Sequence, residues 1–288
     1  MNPIFSRILK ALCTLAAVAL LSACGSSSTV DPFKPTRVIG LGDGYNDVNA
    51  TVREGSTTDT VVQQVAASFG LGQSSVVSVA GNGKKIADLA TQITSVGRLG
   101  SFSEGDLVVI TVGTHDVIDG TNLTDAKNNL VAAVQSLLNA GVKHVLIMPV
   151  LEVSLTPWGR STSSTVSTTA TDTFNSAVLE ALGPEFGGRS INTVIYANAS
   201  SLTVSFRNAT SIALVYSPFT DTGYGGTAPA CGSGSVASGS WVGCPTTGVG
   251  AASASYTTML FADGIHLTPA GNRWVASYLY NATAQGWR

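Results

Sequence analysis

Short apolar runs that each end in a glycine-containing loop constrain the fold more than any other feature of this sequence. Arg37–Leu41, Leu107–Val112 and Val145–Val150 are apolar on successive residues, as strands buried on both faces are. Segments with helical spacing separate them, the clearest over 123–139. This alternation predicts an α/β fold, a three-layer sandwich of about five parallel strands with helices on both faces.

The remaining segments complete this alternation. We predict a short strand over 76–79 and further helices over 57–69, 85–96, 174–182 and 269–280, the last with Thr268 as its N-cap. The Ser/Thr-rich stretch 161–173 is predicted to be a loop, and 221–255 to be a long surface insertion rich in Gly, Ser and Thr. Neither stretch has the apolar content of a separate domain, so residues 36–288 are expected to form one domain.

The N-terminus has the pattern of a targeting segment. Residues 1–23 carry two positive charges and an apolar run too short to span a bilayer, as a signal peptide does. The four residues Leu-Ser-Ala-Cys24 at this boundary resemble a bacterial lipobox. Gly25 after them resembles a signal for sorting to the outer membrane. We therefore expect a lipidated Cys24, a flexible tether over 24–35 and attachment to the cell envelope, facing the periplasm or the cell surface. Ordinary signal cleavage nearby, which would leave Cys24 as an odd thiol, is the alternative.

Two cysteines remain once Cys13 leaves with the leader and Cys24 takes the lipid. Cys231 and Cys244 flank a Gly/Ser-rich loop, and an oxidising compartment favours a structural disulfide between them. Redox chemistry is disfavoured because no C-x-x-C spacing is present.

The composition excludes some partners. Charged residues make up 11% of the chain and the formal net charge is −2, whereas nucleic-acid binding needs a dense field of Lys and Arg. We therefore expect no nucleic-acid partner.

The informative residues lie in loops at the predicted strand ends, where ligands bind to open parallel sheets. These loops are Gly42-Asp43-Gly44, Gly81-Asn82-Gly83 and Gly113-Thr114-His115-Asp116, and a fourth segment, Asp263-Gly264-Ile265-His266, precedes the last helix. An Asp three residues before a His can orient the imidazole and stabilise its protonated form.

The order and spacing of these four blocks resemble the GDSL or SGNH hydrolase family of esterases and lipases, from about Val38 to the last helix. The resemblance implies a flavodoxin-like fold, carboxylic-ester hydrolysis, a small ester or acylated substrate and no cofactor. It implies that His266 is the base and Asp263 orients it. It also implies that Gly83, or else Gly81, and His115 supply oxyanion donors.

Two signature positions depart from the family pattern. Gly44 stands where the family has its nucleophilic serine, and His115 stands where it has an asparagine. Loss of a triad serine costs roughly 10⁶-fold in turnover, whereas loss of one oxyanion donor costs ~10²–10³-fold. The change at Gly44 therefore predicts that the acyl-serine route is impaired or absent. The same pattern would arise if a working enzyme had been inactivated by replacing its serine.

Other residues offer alternative chemistry. Tyr45 is a nearby hydroxyl, but a phenol is a poor nucleophile at neutral pH, and a water activated by His266 is a second substitute. A metal site formed by Asp116, Asp263 and His266 is disfavoured, because the sequence has no metal-binding motif.

Three functions remain open. The chain is an envelope-anchored esterase with reduced or rerouted chemistry, a non-catalytic relative that binds acyl or acetylated-glycan ligands, or a structural lipoprotein. A cleft filled by side chains would favour the third.

Overall fold

The strands and helices are arranged in the order that the sequence pattern predicts. The structure is a computed structural model, and it describes residues 33–48, 60–161, 165–167, 169–186, 193–197 and 260–287. The predicted signal peptide, Cys24, the tether, the 221–255 insertion and the Cys231–Cys244 pair lie outside these residues. Contacts group the described residues between Lys34 and Trp287 into one unit.

The described strands are β1 (Arg37–Gly42), β2 (Val76–Ser78), β3 (Asp106–Thr111), β4 (His144–Met148) and β5 (Val194–Tyr196). The described helices are α1 (Val61–Ser68), α2 (Leu89–Leu99), α3 (Thr114–Ile118), α4 (Leu123–Asn139), α5 (Ala170–Phe186) and α6 (Pro269–Gly286). Short 3₁₀ turns lie at Gln73–Ser75, Ile86–Asp88 and Val153–Leu155.

The strands form one parallel sheet in the order β2-β1-β3-β4-β5. The predicted α/β fold class is therefore confirmed. The chain passes from β1 to β2 on one side and then crosses to β3 on the other, which places a crevice beyond the carboxyl ends of β1 and β3.

Both faces of the sheet are covered, which explains why the strands are apolar on successive residues. On one face, Ile39, Val108 and Ile147 belong to a core cluster that includes side chains of α2, α4 and α5. On the other face α1 approaches β1 so closely that a Cβ added at Gly40 would lie 3.1 Å from Val62 Cγ1. Helix α6 packs against α1 on that side.

Several predicted boundaries differ from those observed. Helix α6 runs to Gly286, beyond the predicted end at 280, and α5 begins at Ala170, inside the stretch predicted to be a loop. The sequence prediction missed β5, because its three residues form only one half-buried edge strand. It also placed His115 in a loop, whereas His115 lies on the short helix α3.

A glutamine from α2 fixes the end of β1, just before the first loop of the crevice. Gln92 is 6% exposed, and its Oε1 accepts a hydrogen bond from Gly42 N at 2.6 Å while its Nε2 donates to Gly42 O at 2.9 Å. Gly42 has φ +107°, and a Cβ there would overlap the backbone of Thr111. The close pairing of β1 with β3 therefore requires glycine at this position.

We expect Gln92→Leu to lower the free energy of unfolding by about 1–3 kcal/mol, since it leaves the buried Gly42 N–H without an acceptor. Urea unfolding would measure the change. Gln135→Leu on the outer part of α4 is the matched control, expected within about 0.5 kcal/mol of the parent. Equal effects of the two substitutions would contradict this role for Gln92.

Candidate active site

The first and third blocks are joined at the crevice by strand pairing. Gly42 and Thr111 are register partners at the ends of β1 and β3, and Asp43 N donates to Thr111 O at 2.7 Å. Because both strands end at the same edge of the sheet, the loop from Gly42 and the helix α3 that follows Gly113 lie side by side.

The Asp263–His266 loop is held by hydrogen bonds along its length. At its base, Ala262 N donates to His266 O at 2.8 Å and Thr268 N donates to Leu260 O at 3.0 Å. At its tip, Gly264 O accepts from Trp158 N at 2.7 Å. Thr268 caps α6 as predicted, with its side chain accepting from Gly271 N. The loop is therefore fixed before any ligand binds.

Asp263 and His266 form a buried pair. Nδ1 of His266 lies 3.0 Å from Asp263 Oδ2, and Asp263 Oδ1 accepts from the backbone N–H groups of Ile265 and His266 at 2.8 and 2.7 Å. The two residues are 1% and 6% exposed. The structure thus brings together the two residues that the sequence assigned as orienting acid and base.

Opposing effects set the pKa of His266. Burial acts to lower the pKa, but the charge and hydrogen bond of Asp263, with the charges of Asp43 and Asp47, outweigh burial and raise it above the ordinary histidine value. The imidazolium is therefore stabilised, as a base that must hold a proton during a reaction requires. In the neutral form, Nδ1–H points to Asp263 and the lone pair is on Nε2.

Tyr45 is not placed to act as a nucleophile. Its hydroxyl donates to Ile265 O at 3.1 Å, the side chain is 3% exposed, and burial raises the pKa of the phenol well above its ordinary value. Its ring lies 5.8 Å from that of His266, centroid to centroid. Tyr45 therefore positions the histidine loop.

The space beside Gly44 is taken by the imidazole of His266. A Cβ atom added at Gly44 would overlap Nε2, lie 2.8 Å from Cδ2 and lie 3.4 Å from Asn82 Oδ1. The φ of Gly44 is outside the left-handed region, so the backbone does not require glycine here. Any side chain at position 44 would therefore require the ring of His266 to move.

Hydrogen-bond donors without an acceptor lie around this point. Among the described residues, nothing accepts from the backbone N–H of Gly44 or Gly83 or from Nε2 of the buried His115. Gly81, the alternative donor, already donates to Gly42 O at 3.1 Å. Burial lowers the pKa of His115 and the nearby His266 lowers it further, so a neutral ring with one N–H is favoured.

Two aspartates hold the second block in place, a role that the sequence did not indicate. Asp47 Oδ2 accepts from Asn82 N at 3.2 Å, and Asp116 Oδ2 accepts from Ile86 N at 3.0 Å. These bonds tie the Asn82–Gly83 turn to the first and third blocks. Asn82, whose buried Oδ1 has no partner among the described residues, is a further site residue. Its place between two glycines was the only sequence signal.

Asp43 is a buried carboxyl next to the site. It is 2% exposed, Oδ1 accepts from Tyr45 N at 3.3 Å, and Oδ2 has no partner among the described residues. Burial raises the pKa of Asp43 to about 7, against the hydrogen bonds and the His266 charge that lower it. Burial therefore favours the neutral form of this carboxyl, compared with an exposed aspartate.

The three residues considered for a metal site have other partners. Asp263 binds His266 and Asp116 binds the second block. Within the described ranges, no group of three or more His, Cys, Asp or Glu side chains is arranged to hold a metal ion. No helix in the same ranges combines the length and apolar content needed to span a bilayer.

The charge of Asp263 makes the pKa of His266 testable. Asp263→Asn removes the largest effect that raises this pKa, so burial should dominate and the pKa should fall below the ordinary histidine value. An NMR titration of the imidazole protons measures it. The exposed Asp125→Asn is the control, and an unchanged His266 pKa in Asp263→Asn would contradict the assignment.

Comparisons with known proteins find a similar fold and a matching family model. An acetyl xylan esterase, AlAXEase, superposes with a TM-score of 0.50 at 17% identity, over 85% of this chain and 98% of that one. The acetylxylan esterase Axe2 from Geobacillus stearothermophilus gives 0.44 at 13% identity, over 65% and 87%. Comparison with curated proteins gives no match. A family model, GDSL-like Lipase/Acylhydrolase, matches residues 38–279, and the chain belongs to that family.

Proposed function

We propose that this protein binds small carboxylic esters in the crevice and hydrolyses them slowly, without an acyl-serine intermediate. One observation carries the proposal: the buried Asp263–His266 pair and the donor groups are present, while position 44 has no side chain. The acetyl xylan esterase among the structural neighbours is consistent with a small acyl group such as acetyl.

A site without the serine still has its base and its oxyanion donors, and these contribute to catalysis on their own. Backbone donors aimed at a developing oxyanion act without any side-chain nucleophile and are worth ~10²–10³-fold each. Sites of this kind that lose their serine keep roughly 10³–10⁴-fold acceleration over water. The retained base and donors thus support weak turnover, which we expect to require His266.

Binding without turnover is the second candidate. The position of the His266 ring favours it, because the imidazole fills the space that a nucleophile would use. Gly83 is exposed, and a Cβ added there would meet nothing within 4 Å, so the donor side of the crevice stays open. Such a protein would capture acyl or acetylated-glycan ligands and release them unchanged.

We also infer that the protein is an envelope lipoprotein, attached through Cys24 and closed by a Cys231–Cys244 disulfide. The sequence of the N-terminal segment and the two remaining cysteines support this inference. A lipid anchor would hold the crevice close to polymers and lipids of the bacterial envelope, where acylated substrates are concentrated.

Restoring the serine tests the proposed function. We expect Gly44→Ser to raise p-nitrophenyl acetate turnover at least ~10²-fold over the parent, and Gly44→Ser/His266→Ala to lose that gain. Gly44→Ala is the matched control, since it displaces the imidazole equally but adds no hydroxyl. If Gly44→Ser is no faster than Gly44→Ala, the crevice is not an esterase site that lacks only its nucleophile.

Lipid attachment is tested separately from chemistry. In a bacterial host, the full chain should incorporate radiolabelled palmitate, and Cys24→Ala should abolish the label. Cys13→Ala lies within the same leader and should leave the label unchanged. Equal labelling of Cys24→Ala and the parent would contradict attachment at Cys24.

A further inference from the structure

The imidazole of His266 occupies the place from which this family attacks its substrate. A serine at position 44 would carry its hydroxyl on a Cβ, and Nε2 of His266 lies so close to that Cβ position that the two atoms would overlap. The ring is fixed there by Asp263 at Nδ1 and by the hydrogen bonds of its loop. Nε2 of His266 is thus held beside residue 44, where the family carries its nucleophile.

The lone pair of Nε2 has no competing partner. With Nδ1–H directed at Asp263, the neutral ring presents an unprotonated Nε2, and no described residue donates to it. An unprotonated imidazole nitrogen is a competent nucleophile toward acyl groups, and histidine is among the residues that form covalent intermediates.

The oxyanion donors are placed for attack from this point. Nε2 lies against Gly44, whose backbone N–H is one of the donors. Asn82 Oδ1 is 3.4 Å from a Cβ added at Gly44, and the next residue, Gly83, carries a second donor. His115 is close enough to His266 for their charges to affect each other. A carbonyl carbon within reach of Nε2 would have its oxygen near these donors.

We propose that Nε2 of His266 is itself the nucleophile in this protein and forms an acyl-imidazole with the substrate. The inference rests on the proposed function, because it requires that the crevice take esters. A general-base route would instead place a water between Nε2 and the carbonyl carbon, and it would leave no acyl group on His266.

The chemistry balances without any further reactant than water. The Nε2 lone pair forms a bond to the carbonyl carbon, and the C=O π electrons move to the oxygen, where Gly44, Gly83 and His115 donate to it. Collapse of this intermediate breaks the C–O bond and leaves N-acyl-imidazolium, while the departing alkoxide takes a proton from solvent. Water then adds to the acyl carbon and loses one proton to solvent, which balances the proton taken by the alkoxide. The carboxylic acid is released and neutral His266 is regenerated.

This route restricts the substrate. In the serine mechanism the protonated histidine gives its proton to the leaving alcohol, but a histidine that is bonded to the acyl group cannot. The leaving alcohol must therefore depart as an anion, which favours acidic alcohols such as phenols and enols over simple alkyl alcohols. We expect p-nitrophenyl acetate to be turned over at least ~10²-fold faster than ethyl acetate.

Trapping of the acyl group tests the proposal on the full chain. Rapid quenching after p-nitrophenyl acetate, or after the slowly deacylating p-nitrophenyl trimethylacetate, should yield one acyl adduct on the peptide that contains His266. Peptide mapping by mass spectrometry identifies the site. The adduct should be absent in His266→Ala and retained in His144→Gln. His144 begins β4, at the opposite end of that strand from the crevice, and packs against Trp287.

Gly44→Ala gives a second, independent readout. The added methyl group pushes Nε2 from its place but leaves Asp263 and the donors unchanged, so adduct formation should fall at least ~10-fold. Turnover by the parent without any His266 adduct would show that His266 is not the nucleophile, and it would leave the proposed function unaffected. If the parent shows neither turnover nor ester binding, the proposed function fails as well, and the two failures are thereby distinguished.

Discussion

The carboxylate of Asp263 is the interaction on which the site depends. One oxygen accepts from two successive backbone N–H groups and fixes the turn, and both oxygens lie within 3.2 Å of Nδ1 of His266. A single buried group thus sets the backbone path, the direction of the ring and its protonation. Its negative charge also offsets the cost of burying an imidazolium. At the tip of the loop, the Tyr45 hydroxyl and the Trp158 backbone N–H donate hydrogen bonds to two carbonyls, those of Ile265 and Gly264.

The sheet supplies the second constraint, because it brings blocks that are distant in sequence to one edge. Gly42 can approach Thr111 only because it lacks a Cβ, and Gln92 satisfies both polar groups of its backbone. The side chains of Asp47 and Asp116 then attach the second block to the first and third. The donors around Gly44 are therefore held by a network of buried carboxylates and amides, and not by packing alone.

Much of this could be predicted from the sequence, and the exceptions have physical reasons. The apolar runs predicted β1, β3 and β4 within one or two residues, since the middle residues of a strand buried on both faces are apolar. An edge strand such as β5 lacks that signal. Asp263 and His266 could be paired from the sequence because both lie on one short loop, where residues that are close in sequence are also close in space. The roles of Tyr45, Asn82, Asp47 and Asp116 depend on contacts between segments, which spacing along the chain does not record.

The unpaired polar atoms at the crevice argue against a purely structural role. Asp43 Oδ2, Asn82 Oδ1 and His115 Nε2 are buried and have no partner among the described residues, and such a group costs about 1–3 kcal/mol when it remains unsatisfied. A domain kept only as a packed unit would gain stability from apolar side chains at these positions. Of these three atoms only His115 Nε2 can donate to an acyl oxygen. The backbone N–H groups of Gly44 and Gly83 are further donors with no acceptor among the described residues. Unpaired donors beside a buried acid–base pair are expected of a site that receives a carbonyl group, and they are the physical reason for the ester binding that we propose.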